Sequence, residues 1–313
     1  MHAGQDTASR GRRRGILPGP LAAAAFLGLT SCAHAPAPAP ARVTWAQVAA
    51  LPVPPADHRE PYGSDSLQFG ELRLPRGRGP FPVAIVIHGG CWRSEYDLQH
   101  VGPLAGALTR RGIATWTIEY RRIGDPGGGW PGTFEDVAHA ADHLRALART
   151  YPLDLTRVVA VGHSAGGHLA LWLASRAKLP RPDAFAADEP LPLRGVVGLA
   201  AISDLGAYAR GSSWCCQSAL LLMGGSPDSL PERYALGDPI QRLPFGIPVR
   251  LVHGSEDAIV PIAQSRAFVE AARAKHDDAT LTTVAGAGHF DLVAPDSPAG
   301  AIVLRTVSEL LRR

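Results

Sequence analysis

Residues 157–172 read Arg157-Val-Val-Ala-Val-Gly162-His-Ser164-Ala-Gly166-Gly-His168-Leu-Ala-Leu-Trp172. A β-branched apolar run meets a glycine-rich corner and then an apolar segment, so the stretch predicts strand, tight turn, helix. Inside it, Gly162-His163-Ser164-Ala165-Gly166 has the form G-x-S-x-G, the turn that lifts a serine hydroxyl above the end of a parallel sheet. The glycines have a physical reason. Strand and helix pass too closely there to leave room for a Cβ, and the serine occupies strained backbone at the corner.

Working outward, Val83-Ala-Ile-Val-Ile-His88 is a continuous apolar run, as expected of a strand covered on both faces, and it ends in His88-Gly89-Gly90-Cys91-Trp92. An early antiparallel strand is expected over 67–74, and further strands over 113–120, 195–200, 249–253 and 281–284. Helices are expected near 104–110, 133–149, 263–275 and 302–311. Thr133 is placed to cap the second of these, with Asp136 three positions on completing a box-like pair. Strands alternating with helices at this spacing predict right-handed crossovers and an α/β fold around a mostly parallel sheet. The alternation breaks over 204–248, where Trp214, Cys215, Cys216 and Met223 lie among glycines and prolines. That segment reads as an insertion over the strand ends, either a lid or a surface excursion with a short helix at 218–222.

An apolar fraction of 46% in 313 residues supports a substantial core. The formal net charge is +3, and four arginines against one aspartate within residues 1–31 account for all of it. With its basic residues scattered, the remainder offers no nucleic-acid surface. At the amino end Arg12-Arg13-Arg14 precedes an apolar run over 16–29, the plan of a secretory signal too short to span a bilayer comfortably. Leu29-Thr30-Ser31-Cys32 resembles a bacterial lipobox, so residues 1–31 are expected to form a signal peptide and Cys32 to carry lipid. The alternating Ala/Pro segment over 32–42 would be an extended tether, residues 43–313 the globular domain, and the location the bacterial cell envelope. Cys91, Cys215 and Cys216 remain, an odd number that cannot all pair within one molecule. They are either small buried thiols or, in an oxidising compartment, include a bridge from Cys91 to Cys215 or Cys216.

A serine alcohol becomes a useful nucleophile only when a base takes its proton, and the base needs a third group to fix its tautomer. Downstream of Ser164, Asp257 lies in the loop after one expected strand and His289 just after the next. The chain order is therefore Ser, Asp, His. Glu256 and Asp204 are rival acids. His163 and His168 read as packing groups and His88 as a brace for the 88–92 loop. His139 and His143 stand four apart on an expected helix, but without the glutamate of a metalloprotease site.

Taken together, His-Gly-Gly-Cys-Trp at 88–92, Gly-His-Ser-Ala-Gly-Gly-His at 162–168, Asp257 and His289 resemble an α/β-hydrolase over residues 72–312, in the esterase and kynurenine-formamidase-like branch. The resemblance implies Ser164 as nucleophile, His289 as base and then acid, Asp257 as its orienter, and an oxyanion hole from the backbone N–H groups of Ala165 and of Gly90 or Cys91. Glycines 89 and 90 suit that role, because the donors must approach the oxyanion without side chains in the way. Trp92 is either a pocket wall or a residue packing its loop onto the sheet, and Trp214 and Phe290 are further candidates for the pocket. The expected activity is hydrolysis of a small-molecule carboxylic ester without metal or organic cofactor. Arylformamidase activity, peptidase activity and a binding protein on an inactive hydrolase fold are the alternatives.

Overall fold

A computed structural model describes residues 42–178 and 189–312, together with Gly15 and Phe185. The signal, the lipobox cysteine and all of the tether except Arg42 lie outside the described residues. The described residues from Arg42 onward form one compact unit.

Eight strands make a single sheet: β1 (His58–Pro61), β2 (Phe69–Arg73), β3 (Phe81–Ile87), β4 (Ala114–Ile118), β5 (Leu153–His163), β6 (Gly195–Leu199), β7 (Val249–Gly254) and β8 (Ala279–Val284). Their spatial order is β1-β2-β4-β3-β5-β6-β7-β8. Strand β2 pairs antiparallel with both β1 and β4, and β4, β3, β5, β6, β7 and β8 run parallel. The helices are α1 (Trp45–Ala49), α2 (Gly102–Thr109), α3 (Gly132–Asp142), α4 (Leu144–Leu147), α5 (Ala165–Ser175), α6 (Leu205–Ala209), α7 (Trp214–Met223), α8 (Pro231–Gly237), α9 (Ala263–Ala274) and α10 (Pro298–Arg312).

The central strands are apolar without alternation because both faces are covered; every residue of β4 and β6 is buried. One face packs on α3 and α5, the other on α2 and α10, and the two clusters of buried side chains divide accordingly. Helix α5 is buried along its whole length, which explains why it is apolar all round rather than amphipathic. Its outer side lies under α8: His168 Nε2 donates to Gly237 O at 2.9 Å and Trp172 Nε1 to Leu236 O at 3.1 Å.

Two local expectations are corrected. The 133–149 helix is divided at His143, which keeps helical backbone (φ −60°, ψ −22°), into α3 and α4. Thr133 and Asp136 do not cap it, because the helix begins at Gly132 with no side-chain cap. Instead the fully buried Asp136 carboxylate receives Arg121 Nε at 2.8 Å and Nη2 at 2.7 Å, while Thr133 Oγ1 donates to Arg121 O. A charged long-range partner outcompetes a local cap. Residues 204–248 carry α6, α7 and α8, and α7 runs well beyond the short helix expected at 218–222.

Candidate active site

The last residue of β5 is His163 and the first of α5 is Ala165, so Ser164 alone turns the corner, at φ 58° and ψ −119°. A Cβ at Gly162 would lie 2.0 Å from Gly166 O, and one at Gly166 would lie 2.3 Å from the carbonyl oxygens of both Ile87 and His88. All three obstacles are backbone, so no side-chain adjustment relieves them. The corner is pinned to the neighbouring strand by Ser164 N donating to Leu199 O at 2.8 Å. As the first residue of α5, Ala165 points an N–H that the helix itself cannot satisfy toward the same corner.

Asp257 follows β7 and His289 follows β8, and the fold brings the two together: His289 Nδ1 lies 2.7 Å from Asp257 Oδ2. The other carboxylate oxygen accepts from the backbone N–H groups of Ile259 (2.8 Å) and Val260 (2.9 Å). Burial pushes the Asp257 pKa up, but the hydrogen bonds from His253 and His289 and the backbone donors outweigh it and hold the carboxyl well below the usual range. An ionised carboxylate only accepts, so His289 Nδ1 carries its proton and Nε2 is left as the basic nitrogen. His253 Nε2 is 3.4 Å from the same carboxylate, with a closer partner in Val260 O at 2.9 Å.

A second histidine chain lies behind the first. His163 Nε2 donates to the backbone oxygen of His289 (3.0 Å), so its Nδ1 accepts, from His100 Nε2 at 2.8 Å. Both rings are buried, and burial together with neighbouring imidazoles lowers their pKa values, that of His100 to about 3. They are neutral spacers that fix the His289 backbone.

The loop after β3 is built to bring backbone close to the serine. A Cβ at Gly89 would meet His163 O at 2.6 Å, and Gly90 has φ +99° with Tyr96 2.4 Å from where its Cβ would be. Cys91 and Trp92 also have positive φ, 50° and 57°. Beneath the loop, His88 Nδ1 bonds Gly89 O and its Nε2 bonds Glu119 Oε1, each at 2.9 Å, and Tyr120 stacks on the ring. Burial raises the Glu119 pKa, but His88 and Arg122 outweigh it and hold the carboxylate ionised. Above, a disulfide joins Cys91 to Cys215 at the start of α7, with Cα atoms 5.3 Å apart. Cys216 is a free, buried thiol.

These parts enclose a cleft of about 300 Å³, lined by Gly90, Cys91, Ser164 and His289 and walled by Trp45, Tyr96, Trp214 and Phe290. A larger groove, about 750 Å³, lies by Pro54, Arg73 and Arg110 at the opposite end of the strands and holds none of these groups. Of the three residues expected in the pocket, Trp214 and Phe290 are there. Trp92 is not: it is fully buried and meets His168 edge-on at 5.3 Å, so it packs the loop onto the sheet. Trp45, Tyr96, His100 and Ile259 line the cleft without having been singled out. Of these, only Trp45 has a sequence context that hints at docking, lying in the short amphipathic stretch Val43-Thr-Trp-Ala-Gln-Val-Ala-Ala-Leu51. Asp204 caps α6 by accepting from Ala207 N, and Glu256 is exposed. His143 stacks on Trp116, and among the described residues no cluster of His, Cys, Asp and Glu is arranged to hold a metal.

An elbow serine over a parallel sheet, with an acid after one later strand and a histidine after the next, defines the α/β-hydrolase fold. Solved structures agree on that fold. A carbohydrate esterase from gut microbiota superposes with a TM-score of 0.72 at 21% identity, covering 83% of this chain and 99% of that one. Esterase B from Lactobacillus rhamnosis gives 0.71 at 22% identity, covering 85% and 91%. Residues 71–272 match the BD-FAE family, and the chain belongs to it. Among characterised sequences, the esterase LipC of Mycobacterium tuberculosis is 30% identical over 74% of this chain, and the isoprenylcysteine alpha-carbonyl methylesterase ICME of Arabidopsis thaliana is 25% identical over 75%. The chain spans 59% and 56% of the length of these two relatives.

Proposed function

We propose that this chain hydrolyses carboxylic esters of small or aromatic acids through a covalent acyl-enzyme. The observation that carries the reading is Ser164, in its strained corner, facing the same cleft as a histidine whose Nδ1 is fixed on Asp257 at 2.7 Å. Relatives named as esterases support the substrate class. His289 Nε2 takes the Ser164 hydroxyl proton as Oγ attacks the ester carbonyl. The resulting oxyanion is met by the N–H groups of Ala165 and of Gly90 or Cys91, and loss of one such donor costs about 3 to 4 kcal/mol of transition-state stabilisation. On collapse the histidine returns the proton to the departing alcohol. Water then attacks the acyl-serine, giving its proton to His289, and the free acid leaves as Oγ regains a proton.

The test is initial rates on short and long p-nitrophenyl esters beside N-formylkynurenine, with covalent labelling by a fluorophosphonate as control. Ester turnover and labelling that both vanish in Ser164→Ala, with the fold intact, are expected. Turnover retained in Ser164→Ala would overturn the mechanism, and preference for the formamide would replace the ester reading with an arylformamidase.

We further propose an envelope location with a lipid anchor on Cys32, supported by the arginine cluster, the apolar run and the Leu-Thr-Ser-Cys sequence at 29–32. Cys32→Ser should move the protein from the membrane to the soluble fraction. Unchanged membrane association would show that the anchor lies elsewhere.

A further inference from the structure

Before the first strand, the chain crosses the mouth of the cleft. Trp45 begins α1, a five-residue helix far too short to be stable by itself, so its position is set by what it docks on. Three contacts hold it. Val48 is buried in the core. The Trp45 ring stands edge-on to Tyr96 at 5.2 Å and His100 at 5.3 Å, and lies 5.7 Å from Phe290. Val43 N donates to Asp291 Oδ2 at 3.2 Å, and the same oxygen accepts from Gly288 N at 3.0 Å. One carboxylate thus ties the amino-terminal arm to the loop that carries His289.

We infer that Trp45 is a specificity-determining residue that limits the size of the ester group admitted to the cleft, and that the Asp291 tie holds it in place. The indole lines the cleft alongside Ser164 and His289, yet it keeps 36% of its surface exposed. A tryptophan serving the core alone would be covered. Here the ring forms a wall whose other side is solvent, so removing it opens a cleft of only about 300 Å³ outward instead of leaving an internal void. Larger esters then gain room while the smallest lose a packing surface, and the two effects move selectivity in the same direction. The inference rests on the ester-hydrolase reading of Ser164.

The experiment uses the full chain and compares wild type with Trp45→Ala, Trp45→Phe and Val43→Pro. The last removes the amide donor to Asp291 while leaving Gly288 bonded. Two readouts are taken: the ratio of fluorophosphonate labelling rates for a bulky aryl-alkyl and a methyl probe, and kcat/KM for p-nitrophenyl esters of increasing size. Trp45→Ala should raise the large-to-small ratio about tenfold, the discrimination typical of one to a few methylene-sized contacts. Val43→Pro should raise it in the same direction, and Trp45→Phe should restore most of the wild-type preference. Rates that fall in parallel for all sizes would make Trp45 a stability residue and overturn the inference. A wild-type ratio in Val43→Pro would overturn the tie. Wild-type protein that neither labels nor turns over any ester would overturn the hydrolase reading itself, a result distinct from labelling with an unchanged ratio.

Discussion

Both oxygens of the Asp257 carboxylate are committed, one to the amides of Ile259 and Val260 and the other to His289. Replacing it by asparagine keeps the shape but offers the imidazole a group that can present N–H, so His289 would settle with its proton on the wrong nitrogen. Asp257→Asn is expected to lower kcat about 10⁴-fold with little change in KM; a loss under about tenfold in steady-state assays would remove Asp257 from the mechanism. Nucleophile, acid and base were legible in the sequence because each follows an apolar strand-like run by a residue or a few. Tyr96, His100 and Ile259 were not, since nothing in their local sequence says which loop tip will be folded over which cleft.

Among the elements, the loop after β3 and helix α7 are joined covalently, across a sequence separation of 124 residues. The bridge restrains Cys91, which lines the cleft and has positive φ. Replacing Cys215 and Cys216 together by serine, which also prevents re-pairing, should cost about 2–5 kcal/mol of stability. It should also lower kcat more than it raises KM, because the loop proposed to bind the oxyanion would be freed. Urea melts and steady-state kinetics read the two effects separately, and unchanged kcat would confine the bridge to a stabilising role. From sequence both the existence of a bridge and its partner, Cys215 or Cys216, were open. The choice is made by α7, which buries Cys216 against Gly211 and Ser213. Strand β1 escaped notice because His58–Pro61 is a short, half-exposed edge strand with little apolar signal. The capping pair at Thr133 and Asp136 failed because Arg121, remote in sequence, claims both residues.

At the scale of the whole molecule, the buried histidines give stability a pH dependence. Burial lowers the pKa of His168 to about 4 and that of His100 to about 3. The unfolded chain takes up protons on these rings near pH 6.5, as free imidazole does, while the folded one does not. Stability therefore falls as pH drops from about 6.5 toward the folded values, by up to about 1.4 kcal/mol per pH unit for each proton. Asp238, raised by burial to about 6, works in the opposite direction between about pH 4 and 6, so a variant comparison is needed. His168→Gln, which can still donate to Gly237 O, should flatten the slope between pH 6.5 and 4.5 in urea titrations. An identical slope would mean that His168 takes up its proton over the same pH range in the folded and unfolded chains.

The sheet also imposes an order in time. The serine corner lies at its centre, after β5, whereas the residues that would activate it follow β7 and the edge strand β8. During synthesis the corner can be complete, with its helix in place, while the base has yet to leave the ribosome. On the proposed mechanism the nascent chain has no base for Ser164 until β8 has docked, so the strand that completes the sheet also completes the site.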